Sequence, residues 1–424
     1  MNATPTAGQT TASGPRCGAY AGLVFRVPMI RRAAADRPRL SRDVLVLGVV
    51  AFFVMVGFGV VVPVLPVYVR SFDVGYLEVG AVVSAFALMR FVASPFCGRL
   101  IDAVGERVLL AIGIGIVAVS SGLVGLAHSY VDVLLLRGAG GIGSAMFTVS
   151  AMTLLLRSSD PGMRGRSVGF YQGGFLLGGM AGPAIGGVLA TISLTAPFFF
   201  YAGTLAVAGL VGILMLRPPV AAGTGGTAPV VPLRTVLRDP RFRAACLANF
   251  ANGWTSLGVR SALVPVLVVD VLSGTAAWTG VAFAIAAVVQ TIALGPAGRF
   301  VDTVGRRPAI LGAYAVAGVT VIGISVAPNF AVLTVLLCVY GVAAAFMGTA
   351  PAAAVGDATS GARGGRPVAF FSMASDLGAI IGPLVAGWLV DVASFPAAFA
   401  VAAVFLLVAA ASALRMPREH SVTA

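Results

Sequence analysis

The stretch GRLIDAVGER, residues 98–107, returns two hundred positions later as GRFVDTVGRR, residues 298–307. Gly98, Asp102, Gly105 and Arg107 in one copy, and Gly298, Asp302, Gly305, Arg306 and Arg307 in the other, form a charged loop between two long apolar runs. A polar loop repeated at about half the chain length marks a protein made of two similar halves. Two further landmarks recur in the same order: Gly182-Pro183 is matched by Gly382-Pro383, and Pro66 by Pro265.

Composition says where these halves reside. The chain is 58% hydrophobic and 10% charged, with a mean hydropathy of +0.99. A soluble domain carries about 25% charged residues, so this chain cannot cover itself with a hydrated surface. It reads as an integral membrane protein, counted in apolar spans of roughly 20 residues. Spans fall at about 44–70, 76–97, 108–128, 131–155, 168–191 and 196–216, and again at 244–270, 275–297, 308–327, 330–354, 367–391 and 395–414. The expected fold class is all-α: about 12 transmembrane helices in two pseudo-symmetric six-helix bundles, residues 43–216 and 243–415. Residues 217–242, rich in Pro and Gly and then in Arg, read as a cytoplasmic linker. Residues 1–42 read as a disordered tail, and 416–424 as a short one.

The net charge of +13 comes from Arg alone, since the chain has no Lys. All but Arg70, Arg90, Arg137 and Arg260 lie in the tails or in alternate loops. That distribution is the positive-inside pattern and places both termini in the cytoplasm, in a cell membrane. A nucleic-acid binder would gather its basic residues on one soluble face instead. Without Lys there is no P-loop, and two His and four scattered Cys offer no metal site. The string GAGGIG at 138–143 fits a dinucleotide fingerprint, but it lies within an apolar span and lacks the strand–turn–helix context.

The repeated loop resembles the G-x-L-x-D-R-x-G-R-R signature of the major facilitator superfamily, at Gly98, Leu100, Asp102, Gly105 and Arg107. It departs at Ala103 and Glu106, where a basic residue is usual; the second copy keeps Arg306 and Arg307 but has Thr303. RGAGG at 137–141 is similar to the family's fourth-span motif. The fifth span carries Gly178, Gly182, Pro183, Gly186 and Gly187, which resembles the motif of the drug:proton antiporter branch. The resemblance covers about residues 44–415 and implies the major facilitator fold, with a proton gradient as energy source and no cofactor. It also implies that the repeated loop ties the inner helix ends together in the outward-facing state, and that Arg137 takes part in proton coupling. A structural role for a hydrated Arg137 is the competing reading.

Ionisable residues at membrane depth are costly and mark function. Arg90 lies about 12 Å from the inner face and Asp376 about 15 Å, at ~1.5 Å per helical residue. In the fold the sequence resembles, their helices face each other across the two bundles. An Arg90–Asp376 interaction that forms and breaks as the bundles rock is therefore expected, with a static salt bridge as the alternative. Asp132 lies five residues from Arg137, the wrong spacing for a facing pair, and reads as a helix N-terminal charge. The seventh span is the most polar, with Asn249, Asn252, Trp254, Thr255, Ser256 and Arg260, so one side of it should line an aqueous cavity. Asn252, Trp254, Arg260, Gln172 and Gln290 are the candidate cavity contacts.

These readings converge on a secondary active transporter, not an enzyme, that exports a small amphipathic molecule in exchange for protons. It is expected to act as a monomer in the bilayer. With no acid between Val44 and Val69, lipophilic cations are disfavoured as cargo, while neutral or weakly anionic amphiphiles stay open. Two other readings remain: a metabolite importer or facilitator of the same superfamily, and a non-transporting receptor or scaffold.

Overall fold

The computed structural model describes residues 40–159, 164–216, 233–358 and 365–417. The expected N-terminal tail, most of the 217–242 linker and the end of the C-terminal tail lie outside the described residues.

Described residues before the linker form α1 (Arg42–Val61), α2 (Leu65–Arg70), α3 (Tyr76–Val104), α4 (Glu106–Val124), α5 (Tyr130–Arg157), α6 (Arg164–Ile192) and α7 (Ala196–Met215). After it come α8 (Leu233–Arg238), α9 (Pro240–Asn252), a π turn (Gly253–Val259), α10 (Arg260–Asp270), α11 (Ala276–Thr303), α12 (Arg306–Ser325), α13 (Phe330–Ala358), α14 (Gly365–Val392) and α15 (Phe395–Ala413). No strand occurs among the described residues.

Eleven of these helices are long and apolar enough to cross a membrane. The expected seventh span is present but divided, since α9, the π turn and α10 follow one another without a loop. The expected first span breaks at Val62–Val64 before α2, which begins with Pro66 in its first turn. A proline there lacks the N–H a continuing helix needs, and its ring crowds the carbonyl four residues back.

Helix ends follow local chemistry. Asp132 and Ser129 make a capping box at the start of α5, with the Asp132 carboxylate accepting from the Ser129 N–H at 3.0 Å. That is the end-of-helix role expected for Asp132, well away from Arg137.

The repeated string is not the loop its polarity suggests. Gly98–Val104 complete the last two turns of α3, and the break is a single residue, Gly105. Polar residues at the edge of the bilayer end the hydropathy signal before they end the helix. Gly105 and Gly305 have φ of 84° and 114° with ψ of 155° and 165°, a region that is essentially glycine's alone and costs a residue with a Cβ about 1–3 kcal/mol. A glycine just past a helix end is the common way to stop one.

One apolar core joins residues from Val44 to Leu216, and another joins residues from Val236 to Met416. In the first, α1 packs on α6 and α7, and α5 on α3 and α4. In the second, α14 packs on α9 and the π turn, and α13 on α11 and α12. Between the sets, α3 lies on α14 and α6 on α11. Large apolar side chains such as Leu135, Ile292 and Val319 are exposed, as suits helices long and apolar enough to cross a membrane. Helix association in lipid then depends on close packing, which small residues permit.

Candidate functional site

Two equivalent contacts hold the sets together. Gly80 of α3 lies on the Pro383 carbonyl of α14, and Gly280 of α11 on the Pro183 carbonyl of α6. A Cβ on Gly280 would stand 2.6 Å from that carbonyl oxygen and 2.6 Å from Gly187 Cα, so no side chain fits. The fifth-span glycines divide their work accordingly. Gly178, Gly182 and Gly186 press on α1 at Phe52, Val56, Gly59 and Val60, while Gly187 faces α11. The GAGGIG string is also packing: Gly141 meets the Phe86 carbonyl of α3, and Gly143 the Gly113 carbonyl of α4.

A polar cluster extends this seam at the end away from the repeated strings. Asp391 accepts from the N–H groups of Tyr76 at 2.9 Å and Leu77 at 2.7 Å, so a carboxylate from α14 caps α3. Such a cap satisfies orphan donors at a helix N-terminus. The Tyr76 hydroxyl donates to Asp270 at 2.7 Å, and Arg70 pairs with Asp270 at 3.7 Å while stacking on the Tyr76 ring. Toward the strings the seam continues through Ser84, which donates to the Ile380 carbonyl at 2.6 Å. It then reaches Arg90, which donates to and pairs with Asp376. Beyond that point Asp102 and Asp302 are exposed.

Below the seam both sets wall a cavity of about 690 Å³. Arg90, Arg137, Gln172, Arg260 and Gln290 all line it, and no carboxylate does among the described residues. Arg137 is 7% exposed; its guanidinium lies 4.4 Å from the centre of the Phe86 ring. Arg260 lies between Phe283, at 5.1 Å, and Tyr340, at 5.6 Å. The Nε of each has no hydrogen-bond partner among the described residues. Ser256 anchors the Arg260 side: its hydroxyl sits 2.7 Å from the Tyr340 hydroxyl and donates to Asn252 at 2.7 Å.

Two expected cavity contacts are corrected. Trp254 is not on the wall; it is buried and packs on Phe405 of α15 with ring centres 4.5 Å apart. Ser256 faces the cavity, and two residues along the π turn make roughly half a revolution, which points Trp254 the other way. Asn252 also lies off the wall, one turn before Ser256, whose hydroxyl it holds. Asn249 likewise serves packing, donating to the Phe371 carbonyl at 2.7 Å. Sequence reasoning missed Phe86, Phe283 and Tyr340, because aromatic residues in an apolar span leave no signature. Gly80 and Gly280 were findable, since they too stand two hundred residues apart.

Known proteins resemble the chain in sequence and in fold. Over 188 residues it is 30% identical to the quinolone resistance protein NorA of Staphylococcus aureus, a match covering 44% of this chain and 48% of that protein. Over 168 residues it is 30% identical to multidrug resistance protein 1 of Bacillus subtilis, covering 40% of this chain and 43% of that one. The chain thus matches less than half the length of these curated relatives. In fold it is similar to a bacterial homologue of the human lysosomal transporter Spinster, captured inward-facing and unoccupied. The TM-score is 0.76 at 16% identity, covering 89% of this chain and 97% of that chain. The human organic anion transporter MFSD10 is also similar, with a TM-score of 0.65 at 20% identity, covering 89% of this chain and 100% of that one. The Major Facilitator Superfamily profile matches residues 47–289 and 245–423, and the resemblance read from the motifs is borne out: the chain belongs to the Major Facilitator Superfamily, as a multi-pass membrane protein.

Proposed function

We propose that this protein is a proton-driven exporter of a small amphipathic compound, working as a monomer by alternating access in the cytoplasmic membrane. The observation that carries the reading is the Arg90–Asp376 ion pair, which joins α3 and α14 at the edge of the cavity. The bundles at 43–216 and 243–415 rock about this seam, linked by 217–242. The Arg-rich end and both termini face the cytoplasm, as the positive-inside pattern requires, so the cavity is open inward.

In the opposite state the seam parts, and Asp376 meets the outside and takes a proton. On return Arg90 displaces that proton as the pair reforms, which releases it inside. Asp102 and Asp302 at the repeated strings, exposed here, are the groups available to tie the inner ends together when the cavity turns outward. The likeness to two drug-resistance proteins and the glycines of the fifth span support export over import.

Expression in an exporter-deficient host with a panel of amphipathic compounds tests this. At least one compound should accumulate less than in control cells, and a protonophore should restore its accumulation. Reduced accumulation that persists once the proton gradient is collapsed would overturn proton coupling.

A further inference from the structure

We propose that the cavity is built for an organic anion, whose acidic group sits between Arg137 and Arg260. The inference rests on the export reading and names the class of its cargo.

The cavity wall carries unbalanced positive charge. Three guanidiniums line the cavity and no carboxylate does among the described residues. Arg90 is compensated by Asp376. Arg137 and Arg260 have no carboxylate or hydrogen-bond acceptor among the described residues. An unpaired charge at this depth is unfavourable, and stacking on Phe86, Phe283 and Tyr340 relieves only part of it. A ring face cannot satisfy five N–H donors, and the Nε of both residues is left unmatched. What the site lacks is an acceptor with a negative charge.

The two groups come from opposite halves, Arg137 from α5 and Arg260 from α10. A carboxylate or sulfonate between them ties the halves through the cargo itself. Phe58, Phe175, Met55 and Met180 line the same cavity and suit an apolar body. Its volume of about 690 Å³ is that of a site for one drug-sized molecule. A cationic cargo would meet two like charges in a site of low dielectric, where repulsion is strong.

Three probes sharing one fluorophore test the assignment: dansylglycine, an anion; dansylamide, neutral; and dansylcadaverine, a cation. Binding to the full-length protein in nanodiscs is followed by dansyl emission. Dansylglycine should bind at least about tenfold tighter than dansylcadaverine. R137Q and R260Q should each collapse that ratio to about threefold or less, while R137K and R260K, which keep the charge, retain most of it. Each variant is first checked for monodisperse elution and a wild-type melting profile. Equal binding of the three probes, tighter binding of the cation, binding of none, or a ratio unmoved in both Gln variants would overturn the proposal. Uptake into vesicles under an imposed pH gradient separates this from the export reading. If dansylglycine binds selectively but the gradient drives nothing, proton coupling falls and the anion site stands. If the gradient drives dansylcadaverine while dansylglycine does not bind, coupling stands and the anion site falls.

Discussion

Position 106 carries an acid and position 306, its counterpart, a base, and each is paired. Glu106, 2% exposed, is bound by Arg157, while Arg306 pairs with Asp357 at 2.8 Å. Arg157 and Asp357 are again two hundred residues apart, so the two halves hold the same bridge with its charges exchanged. Glu106 looked like a defect in the repeated string because sequence displays a residue without its partner fifty positions on. E106R alone should set two guanidiniums together and lower stability by about 1–3 kcal/mol, less than a fully buried pair would lose because Arg157 is 37% exposed, read as an earlier thermal midpoint in detergent. The double variant E106R/R157D, which copies the polarity of the other half, should recover most of that loss. Failure of the double variant to recover would show that the pair is not a unit.

Elements were legible wherever their chemistry was local. Apolar length gave eleven spans directly, and Asp132 marked the start of α5. Two features escaped because hydropathy does not encode them: the helical continuation through Gly98–Val104, and the π turn that divides the seventh span. The one-residue break at Gly105 and the two-residue break Val304–Gly305 can each be tested. G105A and G305A should each cost about 1–3 kcal/mol, seen as a lowered melting midpoint, whereas G98A, where a Cβ meets nothing within 4 Å, should be near neutral. In the seventh span, W254F should leave dansyl-probe affinities within about twofold of wild type, because Trp254 packs on Phe405 and not on the cavity. A larger change would return Trp254 to the wall.

Across the whole molecule, duplication is both the clearest sequence signal and the basis of the seam. Gly80 on Pro383 and Gly280 on Pro183 are one contact made twice, and Asp391, Asp270, Tyr76 and Arg70 close the far end. The candidate charges Arg90, Arg137, Arg260 and Asp376 were readable from their depth alone, while their aromatic surroundings depend on which helix faces which. G280L places a side chain against the backbone of α6 and should push the seam open. Spin labels across the far ends of α3 and α14 should then report a longer distance than in wild type, and an unchanged distance would contradict the seam's role. In the proposed mechanism Asp376 exchanges its Arg90 partner for a proton as the halves rock. Transport by D376N in proteoliposomes, with and without an imposed pH gradient, measures that exchange. D376N should lose gradient-driven accumulation by at least about tenfold while still equilibrating cargo down its own gradient. Full gradient-driven accumulation by D376N would contradict a proton-carrying role for Asp376.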